Sequence, residues 1–266
     1  MKPSELFELI NGLSKYNNYD SGVLFDNGKE VKSILMALDY DESLCHFAQK
    51  KGHDTILIHH SIGQFYYTAY KGLINKLSVI RELGFCEKKY DRLVYEDMRS
   101  CFLQMRNANM IKMIPSFIET TKDKLSCIIT HHVPDYLAYQ EIISIVKQTN
   151  SLACLRSMLC QLVEDFGMFP KNEAVSMFTN STNYSVPFVD ICFVSSASNT
   201  LQVQLLEDGV DLLVVTSTTN EVINYAYAHN RTILLLNHIP FDYFGMKLLK
   251  NKLKSLFPID IMMYEE

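Results

Sequence analysis

Short, unbroken apolar runs alternate along the chain with longer stretches in which apolar residues recur every three or four positions. Ser33–Leu38, Thr55–Ile58, Leu125–Ile129, Val189–Val194, Leu212–Val215 and Thr232–Leu236 are runs of strand length rich in Ile, Leu and Val, a pattern that suits strands covered on both faces. Between them, Tyr70, Leu73, Ile74, Leu77, Ile80 and Leu83 mark one face of a helix closed by Gly84. Leu152, Leu155, Leu159, Leu162, Val163 and Phe166 mark another, closed by Gly167. Glycine is the residue that most readily takes the left-handed conformation behind a helix. Strands alternating with helices predict an α/β fold with a mainly parallel sheet or sheets.

The segment 61–124 reads as mostly helical. In it Tyr95, Met98, Phe102, Met105 and Met110 form a stripe expected to be core or a helix-packing face. A gapless offset of 157 residues aligns Ile34-Leu-Met-Ala-Leu-Asp and Gly52-His-Asp-Thr-Ile-Leu-Ile58 with Ile191-Cys-Phe-Val-Ser-Ser and Gly209-Val-Asp-Leu-Leu-Val-Val215. Each unit reads strand, polar turn, helix, Gly-x-Asp, strand, so the chain is expected to contain two similar lobes.

Composition narrows the class. A chain of 266 residues with 48% hydrophobic and 21% charged residues buries enough core to fold without disulfide or metal staples. Its 25 Lys+Arg against 30 Asp+Glu leave a net charge of -5, and the densest basic cluster is Lys247, Lys250, Lys252 and Lys254. Nucleic-acid backbone binding needs concentrated positive charge, so it is not expected here. No apolar leader follows Met1, and no run approaches the roughly 20 apolar residues that span a bilayer. Seven cysteines, at 45, 86, 101, 127, 154, 160 and 192, have no C-x-x-C spacing. They read as buried free thiols of a reducing compartment, and the expected location is cytoplasmic.

The eight histidines carry the candidate chemistry. His59-His60 follows the run ending at Ile58, His131-His132 the run ending at Ile129, and His238 the run ending at Leu236. The C-terminal edge of a parallel sheet is where ligands bind, because loops diverge there and helix N-termini point inward. His131 is followed four residues on by Asp135, and His238 by Asp242. Imidazoles with carboxylates suit zinc, manganese or iron. Adjacent histidines on an extended chain point opposite ways, so His59 and His60 read as ligands of two ions, or as a ligand and its support. Asp135 is equally placed to be the N-cap of a helix over Tyr136–Lys147, and Asp242 to be a first-turn residue favoured by the helix dipole. His46, His53 and His229 are expected to meet solvent. Ser195-Ser-Ala-Ser-Asn-Thr200 reads as a helix-capping turn rather than an anion site. The P-loop, G-x-S-x-G and H-E-x-x-H patterns are absent from the sequence.

The segments Ile34–Asp39, Gly52–Gly63, His131–Asp135, Gly209–Thr216 and His238–Gly245 resemble, in order, motifs of the GTP cyclohydrolase I type 2 family, also called NGG-interacting-factor-three-like. The likeness runs from about Phe7 to Pro258. It implies a single interleaved two-lobed unit over 1–266, its related three-layer α/β lobes with mainly parallel central strands being approximately 1–150, with a helical insertion over 61–124, and 151–266. The pseudo-repeats are 34–59 and 191–216. It further implies two divalent ions in a cleft, a toroidal homohexamer and a small-molecule substrate, with a nucleotide among the candidates. By that likeness His59 and His60 ligate one ion each, Asp135 the first, His238 the second, and Asp242 bridges both. His131 stands beside them as a catalytic proton-transfer or supporting group. Three positions depart from the family pattern: Asp242 replaces the usual Glu, Ser61 the usual Pro, and Thr216-Ser217-Thr218 the usual Thr-Gly-acid. The implied activity is metal-dependent hydrolysis; the alternative is a ring-forming assembly or regulatory protein with a structural or vestigial metal site.

Overall fold

The computed structural model describes all residues except 17, 64, 108–120, 150–153, 156, 160, 162–174, 181–190, 195–196 and 265–266. Two compact units are built from interleaved segments. The first comprises Met1–Gly72, Arg99–Leu137 and Gly245–Glu266; the second comprises Leu73–Met98 and Ala138–Phe244. Each therefore draws on residues from both sides of position 150.

In chain order the elements begin with α1 (Pro3–Asn11), β1 (Gly22–Phe25), β2 (Ser33–Ala37), α2 (Glu42–Lys51), β3 (Thr55–Ile58) and a 3-10 helix over Tyr66–Ile74. Helices α3 (Asn75–Glu82) and α4 (Glu87–Asn107) follow, then β4 (Ser126–Ile129) and α5 (His132–Gln148). Next come β5 (Val175–Phe178), β6 (Ile191–Val194), α6 (Asn199–Glu207), β7 (Leu212–Val215), α7 (Asn220–Ala228) and β8 (Thr232–Leu236). The chain closes with α8 (His238–Leu256) and β9 (Asp260–Met263).

The first unit holds a five-stranded sheet in the order β1-β4-β3-β2-β9, the second a four-stranded sheet in the order β5-β8-β7-β6. In each the inner pairs are parallel and one edge strand is antiparallel: β1 on β4, and β5 on β8. The predicted α/β class with mainly parallel sheets is what the chain adopts. Ile34 pairs with Thr55 across β2 and β3, and Ile191 with Leu212 across β6 and β7, so the sequence offset carries over to strand register. Gly52 and Gly209 sit at φ 80° and 109°, the left-handed region in which a Cβ is strained. Behind the first of them, Asp54 accepts hydrogen bonds from the backbone of Lys32 and Ser33.

The apolar runs are buried because helices cover both faces of parallel strands. Every residue of β3, β4 and β7 is buried. In the first unit Leu35, Ala37, Ile56, Ile58, Cys127 and Ile129 pack with Leu44, Cys45 and Ala48 of α2. The apolar pattern does not reveal β1, β5 and β9, short edge strands of four residues each. The stripe on α4 also differs from expectation: Tyr95 is 56% exposed and Phe102 38%. Tyr90, Val94 and Asp97 form the buried face instead. The side chain of Met105 and all of Met110 lie outside the described residues, as do most of the helix expected over Leu152–Phe166 and Ser195-Ser196 of the capping turn. The five cysteines whose side chains are described are free; Cys45 and Cys127 are buried, but Cys86 and Cys154 are exposed. Among the described residues no helix is long and apolar enough to cross a membrane.

Candidate metal centre

Register decides which side chains meet. Ile58 and Ile129, the last residues of parallel β3 and β4, are direct partners, so the chain leaves both strands side by side. His59-His60 and His131-His132 thereby reach one edge of the sheet. The neighbouring β2 ends opposite β3, with Ala37 beside Ile58, which delivers Asp39 to the same edge. The antiparallel β1 starts there, with Gly22 opposite Ile129, so the residues just before it, Asp20 and Ser21, arrive from the other side.

The rings of His59 and His131 stand 4.7 Å apart between centroids, those of His59 and His60 4.9 Å, and those of His131 and His132 5.1 Å. His59 and His60 do not diverge as adjacent strand residues would, because β3 has already ended at Ile58 and their N–H groups bond back to Ala37 and Leu38. His59 is fully buried, and its Nε2 lies 3.5 Å from Oδ1 of Asp135. Asp135 is not the N-cap of a helix beginning at Tyr136. The helix begins at His132, which puts Asp135 within its first turn. The Nδ1 of His60 is 2.9 Å from Oδ1 of Asp39. A carboxylate behind a ring nitrogen is a common way to hold an imidazole whose other nitrogen binds metal.

Asp20 is buried completely; its Oδ2 is 2.6 Å from Nδ1 of His131, and its Oδ1 is 3.2 Å from Nε2 of His132. Burial alone raises a carboxyl pKa, but the imidazoles of His131 and His132, with Ser61, outweigh it and hold Asp20 well below the usual carboxylate range. Burial pushes His132 down to about 4, with His131 adding to the effect and Asp20 opposing it. Asp20 is not legible in the sequence because it precedes an edge strand that is only half-buried in the middle and so does not register as a strand pattern.

His59, His131 and Asp135 each place a ligand atom within 4.8 Å of the others. Two ligands about 2.0–2.1 Å from a tetrahedral zinc lie about 3.3 Å apart, close to the 3.5 Å between His59 and Asp135. The donor set and its spacing therefore fit a divalent ion of the zinc, manganese or iron type. His238 and Asp242 belong to the second unit, where they pair with each other on α8, Nε2 to Oδ2 3.2 Å. Asp242 is buried at 1% exposure and is the fifth residue of that helix, past the first turn, while the side chain of His238 is half exposed. Of the remaining histidines, His46 and His229 meet solvent as expected, but His53 is buried at 7%.

No protein-family model and no curated protein matches the sequence. Solved structures do match the fold. A NIF3 superfamily protein from Sphaerobacter thermophilus superposes with a TM-score of 0.81 at 14% identity, over 99% of this chain and 98% of its own. Reduced HcgD from Methanocaldococcus jannaschii gives 0.63 at 14% identity, over 100% and 98%. TTHA1606 from Thermus thermophilus gives 0.59 at 15% identity, over 100% and 98%. The fold implied by the motif resemblance is thus the fold the chain has, the one seen in the NIF3 superfamily protein from Sphaerobacter thermophilus.

Proposed function

We propose that the protein is a metal-dependent hydrolase of a small molecule. His59 and Asp135 hold a divalent ion in the first unit, and His131 stands beside it as the proton-transfer group. The 3.5 Å approach of His59 to Asp135, inside a group of three donors within 4.8 Å, carries the reading. When bound, such an ion polarises the substrate and lowers the pKa of a coordinated water toward 7.

The chain's own residues supply the rest. His59 is locked by burial and by its N–H bonds to Ala37 and Leu38, so it presents a fixed nitrogen rather than a searching one. Asp135 is carried on the first turn of α5, with 18% of its side chain exposed. The ring of His131 is 24% exposed, so it can exchange a proton with solvent while held against Asp20. The fold likeness supports this reading only as a scaffold. The second ion, with His60, His238 and Asp242 as donors, and the homohexamer are proposed on the motif resemblance alone.

The test is metal analysis of untagged protein, combined with hydrolysis assays of nucleotides, phosphoesters and cyclic amides on the same sample before and after chelation. Bound zinc, manganese or iron with hydrolysis lost on chelation is expected. Hydrolysis that survives in metal-free protein overturns the mechanism.

A further inference from the structure

The buried carboxylate of Asp20 is not among the donors assigned above, yet it touches two of the four histidines at the sheet edge. We propose that Asp20 is the positioning residue of His131, fixing through its hydrogen bond to Nδ1 the tautomer in which Nε2 carries the lone pair.

A carboxylate only accepts hydrogen bonds. The ring nitrogen hydrogen-bonded to it, Nδ1 of His131 at 2.6 Å, therefore carries the proton. In a neutral imidazole the other nitrogen is then the acceptor, which for His131 is Nε2, the atom a proton-transfer group needs. The backbone around Asp20 fixes position as well as protonation. Ser21 Oγ accepts the N–H of His131 at 2.9 Å, and the carbonyl of Asp20 accepts from Ser61 Oγ at 2.7 Å. One dipeptide thus ties the loop after β3 to the loop after β4, the two loops that bring His59 and His131 together.

The proposal rests on the metal reading for its purpose, but its test is independent of it. Long-range nitrogen–proton NMR of the histidine rings in metal-free protein, at a pH where the imidazoles are neutral, reports which nitrogen of each ring is protonated. In the wild type His131 is expected to carry its proton on Nδ1. Asp20→Leu, of similar volume and with no acceptor, removes the bond that selects Nδ1–H, so the His131 ring is expected to shift toward the Nε2–H tautomer. A wild-type His131 protonated on Nε2 overturns the proposal, as does a folded Asp20→Leu protein in which the His131 tautomer is unchanged. If the variant does not fold, the wild-type spectrum still decides. A zinc titration of the same wild-type sample separates the two claims: absence of zinc binding overturns the metal reading, while the tautomer result stands on its own.

Discussion

Nδ1 of His131 lies 2.6 Å from Oδ2 of Asp20, a residue 111 positions earlier in the chain. The contact follows from strand direction. Because β1 runs antiparallel to β4, its first residue faces the last of β4, so the approach to one strand meets the exit from the other. His60 and Asp39 meet for a related reason, the parallel exit of β3 and β2.

A site that binds metal only when folded stabilises the fold by mass action. With zinc at 100 times its Kd the gain is about 2.7 kcal/mol, which for a chain of this size is about 5–10 °C in Tm. Calorimetry with added zinc and with a chelator should show that difference. Asp135→Asn, which weakens one donor of the set, should reduce zinc affinity at least about tenfold and shrink the shift accordingly; an unchanged affinity would remove Asp135 from the site.

Acidification should destabilise the metal-free protein in two stages. His132 has its folded pKa depressed to about 4 from 6.5, so the unfolded chain binds the extra proton and stability falls as pH drops from 6.5 toward 4. Asp20 is likewise depressed, from 3.8; its contribution is present above that value and is lost as pH falls further. Thermal melts from pH 7 downward should show Tm declining already above pH 4, and His132→Asn should flatten that first stage.

Gly72 packs against the ring of His132, and a Cβ there would run into its Nε2 and Cε1. The imidazole is largely enclosed, with 17% of its side chain exposed, and cannot swing away cheaply. Gly72→Ala should therefore cost about 1–3 kcal/mol, the usual range for overpacking, measured by urea denaturation. A neutral result would mean that the ring moves freely.

In the second unit Lys76 and Asp97 form a buried pair at 3.1 Å, each side chain 7% exposed, and Asp97 also accepts the N–H of Ser198 at the start of α6. Removing Asp97 takes the carboxylate from beside a buried ammonium and the acceptor from the Ser198 N–H. Asp97→Ala should destabilise by about 3–5 kcal/mol, whereas replacing both with apolar residues of similar volume should recover much of the loss. Denaturant unfolding of the two single variants and the double variant measures the coupling.

The apolar runs and the helical spacing were enough to place six strands and the α/β class, because burial on both faces of a parallel sheet writes itself into sequence as continuous Ile, Leu and Val. The histidines past Ile58, Ile129 and Leu236 were legible for the same reason, as polar residues breaking those runs at strand ends. Edge strands β1, β5 and β9 left no such mark: each is only partly buried, with two or three of its four residues half-buried or exposed, so none had to be a continuous Ile, Leu and Val run. Without β1, Asp20 was one acidic residue among thirty. Only the pairing of β1 with β4 decided that its carboxylate faces His131 and His132. Residue type and local period fix what a segment can be, but register between distant strands fixes which side chains meet, and that information resides in the pairing rather than in either strand alone.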